Sequence, residues 1–243
     1  MKLPIGLVAL ALFSGRVAAQ QNLIPNSNLS DPVPLKGWRV DFPYQDWYKK
    51  NVTYVKQVDM GGKKCALVDL LPGVAGNEGG KVETALVACE PGATYRAEAE
   101  CYLPEIGAKV HAEVFAVNPR ADLAAPPDPN AKNPNNSIFR IPESDGHPAL
   151  VMIYRKQFPD PAGGAKWSKV ETTFTAPLEW EAGLGKDERG KTVYKKLTPA
   201  YVSIKAYTFG ATMAAAKAYF TNFKLFKIKG PDPAAAPKGG LVR

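Results

Sequence analysis

The sequence predicts an all-β fold: an antiparallel β-sandwich of the jelly-roll kind. Three observations lead there. Through most of residues 53–228 apolar side chains recur at every second position, the period of a half-buried strand. Gly 21 and Pro 22 in 243 residues break these runs into short pieces with turns between them. No segment beyond residue 19 carries a sustained helical stripe, and even the Ala-rich Ala211 to Ala218 reads as a turn between the last two strands. Hydrophobic residues at 45% and charged residues at 22% exclude wholesale disorder. The length suits one large domain.

Taken in order, the chain opens with an address. Lys2, the apolar run Ile5 to Phe13 and the small residues Val17 and Ala19 describe a secretory signal peptide over residues 1–19. The run is short of the ~20 residues a membrane span needs, so an anchor is the weaker alternative. Alternation then predicts strands at Thr53–Val58, Cys65–Leu71, Val82–Cys89, Tyr95–Leu103, Val110–Val117, Leu150–Tyr154, Trp167–Phe174, Tyr201–Tyr207 and Tyr219–Ile228. About ten short strands with Gly/Pro turns make one sandwich domain over 20–229. Three segments fall outside it: a long Pro/Asn-rich loop at 118–148, a charged excursion at Glu179–Lys196, and a Pro/Ala-rich tail at 230–243 expected to be disordered.

Lys+Arg 31 against Asp+Glu 23 gives a net charge of +8. Losing Lys2 and Arg16 with the signal peptide leaves +6, a lean toward acidic partners. Of the three cysteines, Cys89 and Cys101 look like hairpin neighbours across Glu90-Pro91-Gly92-Ala93, but that register sets them about seven residues apart, too far to bridge. A Cys65–Cys101 bridge stays open, with buried free thiols favoured.

Four motifs in order carry a family resemblance. Asn22-Leu23-Ile24-Pro25-Asn26 through Gly37-Trp38, then Glu90-Pro91-Gly92-Ala93-Thr94-Tyr95, then Trp167 to Phe174, then Tyr219-Phe220-Thr221-Asn222-Phe223-Lys224-Leu225 resemble family 4/9-type carbohydrate-binding modules, within the galactose-binding-like sandwiches. The resemblance spans Asn22 to Ile228 and implies a sugar-binding sandwich with Trp38 and Trp167 in its core. Such modules often hold calcium through acids near the first and last strands; here those positions read Ser30 and Thr221, with Asp31 as a poor substitute, so no metal is expected.

Enzyme chemistry finds little support. His111 and His147 stand apart, and zinc, hydrolase and phosphate-loop motifs are missing. Glu98, Glu100, Glu113 and Glu171 leave a paired-carboxylate glycosidase formally open, but on alternating strands they read as solvated outer-face residues. The expected ligand site is the aromatic, Pro-containing segment around Tyr44, Asp46, Trp47 and Tyr48, with Trp180 as a second candidate; the bland alternative packs Trp47 beneath the two tyrosines. The expected function is secreted, non-catalytic glycan binding by stacking and hydrogen bonding, with acidic glycans preferred and no cofactor. The alternative is a structural or assembly protein of the cell surface, bound to other surface proteins. Neither a nucleic-acid partner nor a membrane span is expected.

Overall fold

The computed structural model describes residues 20–41, 55–70, 80–105, 107–120, 150–208 and 216–237. Every regular element among them is a β-strand. One sheet has the order β1 (Trp38–Asp41), β4 (Gly80–Thr84), β12 (Tyr201–Thr208), β7 (Ala108–Val117), β8 (Leu150–Gln157), with β5 (Val87–Ala88) also paired to β12. The other runs β2 (Val55–Met60), β3 (Lys63–Leu70), β13 (Ala216–Lys229), β6 (Thr94–Leu103), β9 (Gly164–Thr175). All pairings are antiparallel, so the predicted sandwich stands.

The inner faces are set by alternation. Val110, Ala112 and Val114 of β7 and Val202, Ile204 and Ala206 of β12 share one core with Ala97, Ala99 and Cys101 of β6 and Phe220, Phe223 and Leu225 of β13. Small alanines on one strand make room for phenylalanines on the next. At Gly80 the two sheets approach closely: a Cβ there would lie 2.4 Å from Val68 Cγ1 and 2.9 Å from a Leu70 methyl. Only glycine fits.

Two expectations about the chain path are corrected. Val82 to Cys89 is two short strands, because Thr84 Oγ1 accepts the Ile204 N–H and ends the regular ladder. The Pro91-Gly92 turn does not close a hairpin either. β5 lies in the six-stranded sheet and β6 in the other, so the turn carries the chain across the sandwich. Ala93 N–H bonds Glu90 carbonyl, and Gly92 has φ +75°, as a type II turn with Pro then Gly demands. The tail begins by docking on this turn: Asp232 N–H bonds Gly92 carbonyl, and 233–236 make a further turn with Ala236 buried.

All three cysteines are free and buried. Cys101 is in the core, whereas Cys65 points to the outer side of the same sheet with Lys63 and Leu67. They face away from each other. Burial pushes the Cys65 thiol up to about 11 and those of Cys89 and Cys101 up to about 12.

The charged excursion is regular after all. β10 (Trp180–Lys186) and β11 (Thr192–Leu197) pair as a hairpin outside both sheets. Ala182, Leu184 and Leu197 bury their side chains in the core, and the Arg120 guanidinium donates to the carbonyls of Leu184 and Lys186.

Candidate functional site

The segment Tyr44, Asp46, Trp47, Tyr48 lies outside the described residues. Trp180 stands at the start of β10, half-buried, edge-on to Tyr154 at 5.6 Å and packed against the core. Among the described residues its buried indole Nε1 has no hydrogen-bond partner.

A different aromatic group is assembled on the outer face of the five-stranded sheet. Leu67, Tyr219, Tyr102 and Trp167 occupy one register row across β3, β13, β6 and β9. The ring centroids of Tyr219 and Tyr102 are 5.5 Å apart, and those of Tyr102 and Trp167 are 5.7 Å apart. All three are half-buried. Trp167 is therefore not the core residue that the resemblance implies: even spacing along β9 sends Val170 and Phe174 inward and leaves Trp167 with Lys169 and Glu171 outside. Trp38 does fill the core, stacked on Phe223 at 4.8 Å with its Nε1 donating to Asn26 carbonyl.

Polar groups border this band. Lys63 Nζ lies 4.6 Å from the Trp167 ring centroid and is ion-paired with Glu100. Asn222 Nδ2 donates to the other Glu100 oxygen at 2.9 Å. Burial pushes the Glu100 carboxyl up, but those two bonds and the charges of Lys63 and Lys224 outweigh it and hold it below the usual carboxylate range. A bulge in β13 makes the arrangement possible. One extra residue between Thr221 and Lys224, with Asn222 at φ +51°, lets Asn222 reach Glu100 while Phe223 is buried.

Lys63 also borders a hollow of about 390 Å³ at the adjoining end of the sandwich. Asn28 and Ser30 line it from the opening segment, Lys63 and Lys64 from the start of β3, and Thr221 and Asn222 from the bulge. The opening segment is anchored there by its asparagines. Asn22 Oδ1 accepts the Leu225 N–H, and Asn26 bonds Lys36 carbonyl and the Asp31 N–H. Thr221 Oγ1 donates to Lys64 carbonyl at 2.8 Å, and Asp31 is paired with Lys36 at 2.9 Å. Among the described residues no three His, Cys, Asp or Glu side chains converge on this hollow.

The outer face of the six-stranded sheet is charged and sealed. Glu113 of β7 is 0% exposed and Glu83 of β4 is 1% exposed. Lys205 Nζ lies 2.7 Å from Glu113 Oε2 and 3.4 Å from Glu83 Oε1, while Arg155 bonds Glu113 Oε1 at 2.8 Å. Burial pulls the Lys205 ammonium down, but the two glutamates outweigh it and raise its pKa. Beside them His111 is buried and stacked on Tyr207 at 5.4 Å. Burial, then the charges of Arg155, Lys205 and Lys109, against Asp160, bring its pKa down to about 4. Glu113 and Glu98 are thus not solvated residues. Glu98 is buried between Arg96 and Lys169, and Glu171 alone of the four predicted outer-face acids is exposed, paired with Lys169 at 3.3 Å.

No protein-family model matches this sequence, and no curated protein does. Solved structures resemble the fold. One is the family 22 carbohydrate-binding module and glycosidase pair of a Clostridium thermocellum endo-1,4-β-xylanase, complexed with xylohexaose: 12% identity, TM-score 0.41, covering 86% of this chain and 29% of that one. Another is a xylan-binding family 22 domain of Paenibacillus barcinonensis, with 9% identity, TM-score 0.41 and coverage of 87% and 97%. A third is the cellulose-binding domain of Cellulomonas fimi β-1,4-glucanase C, with 14% identity, TM-score 0.39 and coverage of 79% and 88%. At these values no residue role passes from them to this chain.

Proposed function

We propose that this protein is a secreted, non-catalytic carbohydrate-binding module that takes glycan on the aromatic band of its five-stranded sheet. The row Tyr219–Tyr102–Trp167 carries the proposal. A sugar ring has an apolar face of C–H groups that packs on an aromatic surface, and hydroxyls that need donors and acceptors beside it. Spacings of 5.5 and 5.7 Å make the three rings one continuous band. Glu100 supplies the acceptor, Lys63 and Asn222 the donors. Held below the usual carboxylate range by those two bonds, the Glu100 carboxyl is a hydrogen-bond acceptor for sugar hydroxyls.

The deciding experiment is a glycan array followed by calorimetry on the mature protein and on Trp167→Ala. Loss of one stacking ring is expected to cost ~1–3 kcal/mol, by analogy with base stacking, or roughly 5- to 150-fold in affinity. Unchanged affinity in a folded Trp167→Ala protein would remove the band from consideration. No glycan binding at all would favour a structural or assembly protein that docks other cell-surface proteins. Export rests on Lys2, Ile5 to Phe13 and Val17-x-Ala19. Mass spectrometry of the native protein is expected to find residues 1–19 removed, and a retained Met1 would overturn it.

A further inference from the structure

The opening segment holds a pattern that glycan binding leaves unused. Asn28-Leu29-Ser30 is an Asn-x-Ser sequence with no proline in the middle. In an exported chain such a sequence accepts an oligosaccharide on the asparagine amide, given a surface position. The fold meets that condition by splitting the three residues. Leu29 is wholly buried in the core at φ +57°, with its N–H bonded to Asn26 carbonyl and its carbonyl accepting from Gln57 Nε2. Asn28 and Ser30, on either side of it, are exposed. Asn28 Oδ1 accepts the Ser30 N–H at 3.3 Å, which sets the amide beside the serine. Among the described residues nothing accepts a bond from Asn28 Nδ2, and Ser30 Oγ makes none. The neighbouring asparagines are committed: Asn26 Nδ2 donates to Lys36 carbonyl at 2.8 Å and Asn22 Nδ2 to Ile24 carbonyl at 3.4 Å. Asn28 and Ser30 also edge the hollow of about 390 Å³, so the first sugar of an attached chain meets open space.

We infer that Asn28 is a site of N-linked glycosylation. The inference rests on the export reading, since the donor is an oligosaccharide on a lipid pyrophosphate of the secretory membrane. Asn28 Nδ2 forms a bond to the first sugar carbon, and the bond from that carbon to the phosphate oxygen breaks. The lipid pyrophosphate leaves with the electron pair, and the amide gives up one proton to the transferase. The product chain stands on the rim of the hollow that Lys63 also lines, and so flanks the end of the aromatic band where Lys63 meets Trp167.

The test is peptide mapping of the full chain secreted from a eukaryotic host. Peptide-N-glycosidase in water labelled with heavy oxygen turns a glycosylated asparagine into labelled aspartate. Tryptic cleavage then releases the segment ending at Lys36, whose one Asn-x-Ser/Thr sequence is at Asn28. The other two such sequences, at 51–53 and 135–137, fall in different peptides and outside the described residues. The label is expected at Asn28 in most molecules and in none of a Ser30→Ala variant, which removes the hydroxyl that the transferase recognises. That variant is expected to melt with the wild type, because Ser30 Oγ is exposed and holds nothing. An unlabelled peptide that begins at Gln20, or a label that persists in Ser30→Ala, would overturn the inference while leaving export intact. A peptide that begins at Val17, after Arg16, would show the leader retained and so count against export itself.

Discussion

On the six-stranded sheet, Glu83, Glu113, Lys205 and Arg155 hold one another on the outer face, with both glutamates almost wholly buried. On the five-stranded sheet the outer face carries Tyr219, Tyr102 and Trp167, half open, with Lys63, Glu100 and Asn222 at their border. The two faces have the same strand geometry and the same alternation. Their difference is in what burial does to a charge. Sealed ions must satisfy each other and so serve the fold, since an unpaired charge there is costly. Half-open rings lose little by meeting a ligand, because their remaining surface is already in contact with water.

The largest effect should separate the faces most sharply. Lys205→Met leaves two buried glutamates without their shared cation and is expected to cost ~3–5 kcal/mol of stability. Chemical denaturation measures it, and a loss below about 1 kcal/mol would mean that the network is solvated. Trp167→Ala reverses the pattern, with the affinity loss given above and a stability loss of no more than about 2 kcal/mol from broken cross-strand packing. A variant that lost more stability than affinity would return Trp167 to a structural role.

His111 sharpens the comparison by pH. Its unfolded imidazole takes a proton near pH 6.5 and its folded imidazole near pH 4. Between these values the unfolded state binds more protons, so stability falls as pH falls through the window and levels off below it. Melting curves from pH 7 to 4 should show a decline of several degrees that is smaller in His111→Phe. Equal declines would place the acid sensitivity elsewhere. The smallest effect expected is none: calcium removal should leave the melting temperature unchanged, because Thr221 Oγ1 is committed to Lys64 carbonyl and Asp31 to Lys36. A drop of several degrees in chelator would reveal a bound ion, since a ligand at ~100-fold its Kd adds about 2.7 kcal/mol.

Much of the fold was legible because strand alternation is a local signal. Tyr95 to Leu103 reads as one strand with Tyr95, Ala97, Ala99, Cys101 and Leu103 inward, and these five are buried. The hairpin at 180–197 was missed although Trp180, Ala182 and Leu184 alternate, because glycines and charges between them mask the period. The aromatic row was missed for a stronger reason. Tyr102, Trp167 and Tyr219 are 65 and 52 residues apart in sequence, and only the β6–β9 and β6–β13 registers bring them together.

The sequence by itself determined most of the strands, their inward faces and the Pro91-Gly92 turn, all of which follow from nearest-neighbour alternation and turn chemistry. Tertiary structure alone decided that this turn crosses between sheets, that Glu113 is buried while Glu171 is exposed, and that Trp167 faces outward in a row with two tyrosines. The physical reason is common to all three. Alternation assigns a side chain to one of two faces of a strand, but which strands lie beside it, and so which side chains share and cover that face, depends on pairings between residues far apart in the chain.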